Sequence, residues 1–419
     1  MLLINKLKSI ASHFSIVKLL NVFLRLGGIG SKFLVLILLS KVFDIEVFGN
    51  YSLIISLITI FIFVLGLDFY NFSIRDILVT DSEQEIRNKV ATLSFFYGLV
   101  YLLFIIIASI SFNYINYIKP FLYLVILLCI SEHLSQEIYR LLIGFEKILL
   151  ANVLLFIRTM GWAVVVFYYV FYKIPFNIEF VFKLWLSANI FTIVYIFILI
   201  ISRNYLKIRK IKIDFLWIKK GIKVCYLFFI STIFLKIIEY SNRFVVDFYL
   251  GKEMAGIFIF YSSISILITV YINTIVISFE LPELIKSANS NKIKGLLLKF
   301  KKSLITHTII ISITILFLIK PILYWQNKEE FQEYLPLLFF MIIAAGLMNY
   351  SLFYHFKLYI FHKDKSLFKI ITISGAIGLL VTVVLTYLMG VYGSAIASVF
   401  TGILLFYMRY NEVNKLNYD

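Results

Sequence analysis

In the segment from Lys223 to Tyr261, four charged side chains lie inside or at the end of the first apolar run. They are spaced as i, i+3, i+7 and i+11 and are Lys236, Glu239, Arg243 and Asp247. On an α-helix this spacing places them on one stripe. An isolated charge at bilayer depth costs at least about 2.5 kcal/mol on insertion scales, so we expect the stripe to face protein or water. Two interpretations remain open, because the stripe could line a polar transport cavity or could consist of ion pairs that neutralise one another.

The composition of the chain is that of an integral membrane protein. Of its 419 residues, 62% are hydrophobic and 15% are charged, and the mean hydropathy is +0.96. These values lie outside the usual range of soluble globular domains. The two cysteines, Cys129 and Cys225, lie in or beside apolar runs, with no CxxC motif and no Cys/His cluster. We therefore expect neither a disulfide framework nor a metal site.

The apolar runs predict an all-α polytopic membrane protein with about 12 transmembrane helices in two six-helix lobes. The predicted spans are 18–42, 49–72, 90–110, 120–143, 148–171, 181–202, 224–247, 254–279, 303–324, 335–360, 367–389 and 392–409. An even number of spans places both termini on the same side of the membrane. The basic N-terminal segment is followed by no small-residue cleavage site, so we do not interpret it as a removable signal peptide.

Lysine and arginine are distributed unequally between the two sides of the predicted membrane. The side that holds the N-terminus carries most of them, with the densest run between Arg203 and Lys223. The opposite side carries only Lys41, Lys119, Lys173, Lys252, Lys320 and Lys328. By the positive-inside rule, both termini are cytoplasmic. Topology therefore explains most of the net charge of +17, and we expect no nucleic-acid partner.

The remaining basic residues fall inside the predicted spans and are Arg25, Lys32, Arg158, Lys183, Lys236, Arg243 and Lys357. Lys183 lies at a span end and can extend to the membrane surface, while Lys357 is a weaker candidate at the cytoplasmic mouth. The other five are unfavourable in lipid. We predict that they converge on one cavity between the lobes.

A change of composition divides the chain into two halves. The basic stretch 203–223 separates an N-terminal lobe, 1–202, from a C-terminal lobe, 224–419, and we interpret it as a cytoplasmic linker. A short internal match weakly supports related halves, since Gly49, two residues before an aromatic residue, corresponds to Gly256 in the same context. Parallel six-span halves are a recurring plan of transporters.

Three segments resemble the corresponding parts of the Wzx-type polysaccharide flippases. They are RLGGIGSKFLVLILLSKVFDIEVFGNYS (25–52), SNRFVVDFYLGKEMAGIF (241–258) and VYGSAIASV (391–399). In span count, loop length and lobe division the resemblance extends over essentially the whole chain. These flippases belong to the superfamily that also contains the lipid II flippases and the multidrug and toxin extruders.

The resemblance implies a fold, a substrate and a location. The fold is two six-helix bundles in a V shape. By alternating access, the protein would move an undecaprenyl-diphosphate-linked oligosaccharide across the bacterial inner membrane for O-antigen or capsule synthesis. A cationic lumen is typical of the family. The residues here that could supply one are Arg25, Lys32, Arg158, Lys236 and Arg243, with Lys357 as the weaker candidate. A polysaccharide polymerase and a chain-length protein are the partners that such a role suggests.

The alternative functions are a transporter of different cargo and a membrane enzyme. A cation-coupled exporter of the same superfamily has the same span count but usually a less basic cavity. A membrane glycan polymerase or ligase would need a sizeable external loop, whereas the longest predicted one runs only from Trp325 to Tyr334. The chain has no GxxxxGK[ST] loop and no HExxH motif, so we expect a transporter rather than an enzyme, with no cofactor.

Without an ATP site, directional transport requires consumption of the product or an ion gradient of H⁺ or Na⁺. The carboxylates considered for coupling are, in order, Glu239, Asp247, Asp68 and Glu132. Glu239 comes first because Lys236 and Arg243 flank it at i−3 and i+4. A static ion-pair ladder is its alternative. His133, beside Glu132, is either part of a proton relay or a helix-packing residue.

Overall fold

The computed structural model describes residues 20–21, 23–24, 27–28, 30–202, 211–288 and 290–415. Across these ranges the regular structure is helical and no strand occurs. The predicted all-α polytopic fold is confirmed. In the first predicted span, 18–42, the described residues up to 42 are helical, and residues 30–42 are called helix α1.

Most of the helices after α1 are long and apolar, and three are short. They are α2 (Ile45–Gly66), α3 (Tyr70–Leu78), α4 (Glu83–Ser111), α5 (Leu122–Gly144), α6 (Ile148–Phe171), α7 (Ile178–Ser202), α8 (Phe215–Tyr271), α9 (Ser278–Lys286), α10 (Ile293–Gln326), α11 (Glu329–Glu333), α12 (Pro336–Ile360) and α13 (Asp364–Asn414). A π-helix, Ile272–Ile277, joins α8 to α9. Among the described residues, nine helical stretches are long and apolar enough to cross a membrane.

Two of those stretches each hold two predicted spans. The helix α8 is interrupted at Gly251 (φ 84°), between the predicted seventh and eighth spans. The helix α13 is interrupted at Gly390 (φ 63°), between the eleventh and twelfth. Glycine adopts positive φ without the steric penalty of a Cβ atom, so these two positions allow the chain to leave the helical path and resume it at once.

Several helices extend beyond the apolar runs from which they were predicted. The helix α4 begins at Glu83 rather than at residue 90. Its first turn is capped by Ser82, whose Oγ atom accepts a hydrogen bond from the N–H of Glu85 at 3.5 Å. The helix α10 begins at Ile293 rather than residue 303. The reason is that capping and backbone hydrogen bonds, not hydropathy, determine where a helix begins outside the bilayer.

The chain forms two compact units. Unit 1 contains the described residues of Met1–Leu38 and Leu57–Phe229, and unit 2 those of Leu39–Ser56 and Ile230–Asp419. The helices α2 and α8 each contribute residues to both units. The lobe boundaries drawn from the sequence stay a prediction.

The C-terminal part of the predicted linker is helical and packs within unit 1. Residues 203–210 lie outside the described part of the chain, but 215–223 form the first turns of α8 within unit 1. There the Nε1–H of Trp217 donates to Asp76 at 2.8 Å, and Lys89 forms an ion pair with the same carboxylate at 2.7 Å. Burial raises the pKa of Asp76, but the two hydrogen bonds together with the positive charges of Lys89 and Lys220 bring the pKa below its ordinary value.

In unit 2, α2 and α8 approach each other through two glycines. A Cβ atom added to Gly256 would lie 3.2 Å from the Cα atom of Gly49 and 2.9 Å from the carbonyl oxygen of Ile45. The two glycines paired by the internal sequence match are therefore in direct contact. The aromatic residues two positions further on, Tyr51 and Phe258, are both buried.

Candidate functional site

A buried carboxylate is the centre of the polar interior of unit 1. The Oε1 atom of Glu132, on α5, lies 3.3 Å from Nζ of Lys32 on α1 and 3.4 Å from Nη1 of Arg158 on α6. Its Oε2 atom accepts a hydrogen bond from Nε1 of Trp185, on α7, at 3.1 Å. Four helices thus deliver one carboxylate, two cations and an indole N–H to a single point. Such a cluster satisfies the carboxylate and carries an excess positive charge.

Further polar and aromatic groups surround this cluster. The indole of Trp185 stacks on that of Trp162, with ring centroids 6.0 Å apart. Beside Arg158 lies a cavity of about 20 Å³ that Ser135, Tyr139 and Thr192 also line. Its remaining lining residues are aliphatic, so the cavity is small and mainly apolar.

The neighbouring His133 belongs to a different network. Its Nδ1 atom lies 2.7 Å from the hydroxyl of Tyr101, and its Nε2 atom lies 3.7 Å from Oε1 of Glu137. Glu137 in turn forms an ion pair with Arg140, which lies over the ring of Tyr70 at 3.9 Å. The structure thus places His133 in an aromatic and acidic environment that is compatible with either interpretation offered for it.

The charged stripe of α8 divides into separate contacts in unit 2. Nζ of Lys236 lies 2.6 Å from Oε2 of Glu239. Arg243 is buried, donates from Nη1 to Oγ of Ser56 at 2.7 Å, and lies 4.7 Å from the ring centroid of Tyr240. Among the described residues no carboxylate forms an ion pair with Arg243. Its charge therefore remains uncompensated by direct pairing in this unit.

The other predicted site residues occupy more peripheral positions. Asp247 forms an ion pair with Lys252 across the break at Gly251. Asp68 is buried, but it lies in the turn after α2 with φ 50° and not in a spanning helix, because α2 ends at Gly66.

The two remaining predicted cations are Lys357 and Arg25. Lys357 is partly buried on α12, where the like charge of Lys301 acts on it. Arg25 lies outside the described residues. The structure therefore brings Lys32 and Arg158 together in one unit and Lys236 and Glu239 in the other. Convergence of all the cations on one cavity between the lobes stays a prediction.

The sequence analysis missed two polar residues of the interior. Trp185 was not singled out, although its place inside the predicted span 181–202 could have indicated an interior hydrogen bond. Arg409 was counted as a cytoplasmic charge, yet it is buried and donates to Oγ of Ser351 at 2.6 Å. Its position within the apolar run LLFYMRY was the available signal.

The family of the chain follows from a match over more than half its length. The model of the polysaccharide biosynthesis protein family matches residues 20–286. The chain belongs to this family. No curated protein matches it.

Solved structures with this fold are membrane transporters or flippases. An inward-facing MATE family multidrug transporter of the MOP superfamily has a TM-score of 0.68 and 14% identity, covering 96% of this chain and 94% of its own. The lipid II flippase MurJ, inward closed, has a TM-score of 0.71 and 16% identity, covering 95% and 87%. The Vibrio cholerae MATE transporter VcmN, as a point mutant, has a TM-score of 0.65 and 11% identity, covering 97% of both.

These likenesses establish the fold rather than the substrate. The chain is a multi-pass membrane protein of polysaccharide biosynthesis with the fold of MOP-superfamily transporters and flippases. The resemblance drawn from the sequence is confirmed at this level.

Proposed function

We propose that this protein is a flippase for undecaprenyl-diphosphate-linked oligosaccharide repeat units. It moves them by alternating access across the bacterial inner membrane for surface polysaccharide such as O-antigen or capsule. One observation carries the proposal. Inside both units, the basic side chains considered outnumber the acidic side chains that pair with them. Two cations share Glu132 in unit 1, and Arg243 lacks an acidic partner among the described residues of unit 2.

The chemistry of the substrate explains this excess of positive charge. A diphosphate and a polar glycan cannot cross hydrocarbon unaided, whereas a polyprenyl tail can remain in lipid. A guanidinium can hold two phosphate oxygens at once, and an ammonium adds attraction without strict geometry. A cationic path through the helices therefore matches the part of the substrate that the membrane excludes.

The proposal assigns two roles to the candidate residues. The candidates for binding the diphosphate are the cations, which are Arg25, Lys32, Arg158, Lys236, Arg243 and Lys357. Coupling to an H⁺ or Na⁺ gradient uses one of the carboxylates, which are Glu239, Asp247, Asp68 and Glu132. Glu239 remains the first choice, because its ion pair with Lys236 can open when the helix moves.

Orientation and partners complete the proposal. Both termini lie in the cytoplasm, as the distribution of Lys and Arg favours. The repeat unit delivered to the far leaflet is consumed there by a polysaccharide polymerase, with a chain-length protein as a further partner.

Deletion in the native host tests the proposed function. The lipid-linked repeat unit should accumulate on the inner leaflet, and surface polysaccharide should be lost and be restored by the plasmid-borne gene. Normal surface polysaccharide together with new sensitivity to amphipathic drugs would contradict the proposal and favour a cation-coupled exporter.

A further inference from the structure

The two cations that share Glu132 differ in how firmly they are held. The side chain of Arg158 is 6% exposed, and its Nη1 atom also donates to the backbone carbonyl of Glu132 at 3.3 Å. The side chain of Lys32 is 45% exposed, and among the described residues its ammonium contacts Glu132 and lies 5.6 Å from the ring centroid of Trp185. Arg158 is therefore fixed inside the unit, whereas Lys32 reaches the carboxylate from an accessible position.

This difference makes Lys32 the cation that can change partners. A lysine side chain has a flexible four-carbon stem and a point charge without fixed geometry. If Lys32 turns away, the carboxylate of Glu132 keeps its ion pair with Arg158 and its hydrogen bond from the indole N–H of Trp185. The departure of the ammonium thus leaves no buried carboxylate without a partner, which would otherwise be strongly unfavourable.

We propose that Glu132 is a tethered counter-anion that occupies Lys32 until the diphosphate of the substrate displaces it, and that Arg158 and Trp185 position it. This inference rests on the proposed function and assigns a step within it. The carboxylate and the diphosphate are both oxyanions and compete for one ammonium. On the far side, recapture of Lys32 by Glu132 promotes release of the diphosphate.

Because the diphosphate can bind Lys32 only when Glu132 has released it, the apparent affinity is the intrinsic affinity multiplied by the fraction of time that Lys32 is available. If Lys32 is available about a tenth of the time, removal of the competing charge tightens binding about tenfold. The same removal slows turnover, because product release loses its competitor. A static ion pair would give neither effect in this combination.

The test measures binding of undecaprenyl diphosphate to the purified full-length chain in nanodiscs, and flipping in proteoliposomes. Glu132→Gln should bind about tenfold more tightly than the parent and flip more slowly at saturation. Glu132→Asp keeps the negative charge but shortens the side chain by one methylene group, which lengthens the contact with Lys32, so it should give an intermediate affinity even if the glutamine variant folds poorly. Glu137→Gln is the matched control, because Glu137 is a buried acid of the same helix that pairs with Arg140, and its affinity should equal the parent's.

A double-mutant cycle separates this mechanism from a general charge effect. Lys32→Gln should weaken binding, and adding Glu132→Gln to it should produce no further change. Tightening of the same size in both backgrounds would overturn the inference, as would unchanged or weaker binding by a folded Glu132→Gln protein. A parent that does not bind undecaprenyl diphosphate would instead show that the proposed substrate is wrong, and the inference would fall with it.

Discussion

At the scale of single residues, two buried arginines differ in how their charge is compensated. Arg158 contacts the carboxylate and the backbone carbonyl of Glu132. Among the residues that the structure describes, Arg243 contacts the hydroxyl of Ser56 and the aromatic ring of Tyr240 and forms no ion pair. Removal of one member of a buried ion pair is strongly destabilising, whereas removal of an unpaired charge is not. The same substitution at the two sites should therefore have opposite consequences.

We expect Arg158→Met to destabilise the protein by roughly 3 kcal/mol, because Glu132 loses its buried cationic partner, and so to lower the thermal unfolding temperature in detergent. Arg243→Met should keep or raise that temperature. It should nevertheless reduce flipping about tenfold or more, the loss expected for a charge-assisted hydrogen bond to the substrate. Unimpaired flipping by Arg243→Met would remove Arg243 from the proposed diphosphate path.

The coupling role of Glu239 is a second prediction at this scale. Glu239→Gln eliminates the carboxylate that lies 2.6 Å from Lys236, and flipping by this variant should no longer respond to an imposed proton or sodium gradient. Glu253→Gln, an exposed acid beside Gly251, is the control and should respond as the parent does. If Glu239→Gln also responds as the parent does, the coupling site lies elsewhere.

At the scale of helices, glycine contacts determine how closely α2 and α8 pack in unit 2. Gly49 and Gly256 face each other with no space for a Cβ atom between them. By contrast, a Cβ atom added to Gly98, on α4, would meet nothing within 4 Å. The two helical glycines therefore offer a matched pair for the same substitution.

Replacement by alanine should separate helical propensity from packing. On propensity alone, either change favours the helix by roughly 0.5–1 kcal/mol. Gly98→Ala should accordingly raise the unfolding temperature slightly or leave it unchanged. Gly256→Ala should lower it, since overpacking typically costs about 1–3 kcal/mol. Equal unfolding temperatures for the two variants would contradict the close approach of α2 and α8.

At the scale of the whole molecule, the predicted orientation has both termini in the cytoplasm. Asn291, before α10, and Asn327, after it, are exposed and lie on opposite sides of the membrane in this topology. The native cysteines, Cys129 and Cys225, are buried and should give little background labelling.

Cysteine labelling in intact cells tests this orientation. We expect a membrane-impermeant maleimide to react with Asn327→Cys from outside and with Asn291→Cys only after the membrane is permeabilised. Cells that express the parent chain provide the background signal. Labelling of Asn291→Cys from outside would invert the proposed topology.

The sequence by itself determined the membrane class, most of the spans and the chemistry available inside them. Runs of apolar residues and isolated charges are local features, and the bilayer turns them into helices and interior sites with little dependence on the rest of the fold. The match between Gly49 and Gly256 likewise identified two positions that the structure brings into contact.

Only the tertiary structure decided which charges meet. Glu132 was ranked last among the coupling candidates, yet it is the centre of the interior of unit 1, because its partners come from α1, α6 and α7. Lys32 is 100 residues away from Glu132 in the chain, and Ser56 is 187 residues away from Arg243. Helical spacing within one segment predicts neighbours three and four residues apart, such as Lys236 and Glu239. Partners on other helices depend on how those helices pack, and no local pattern encodes that.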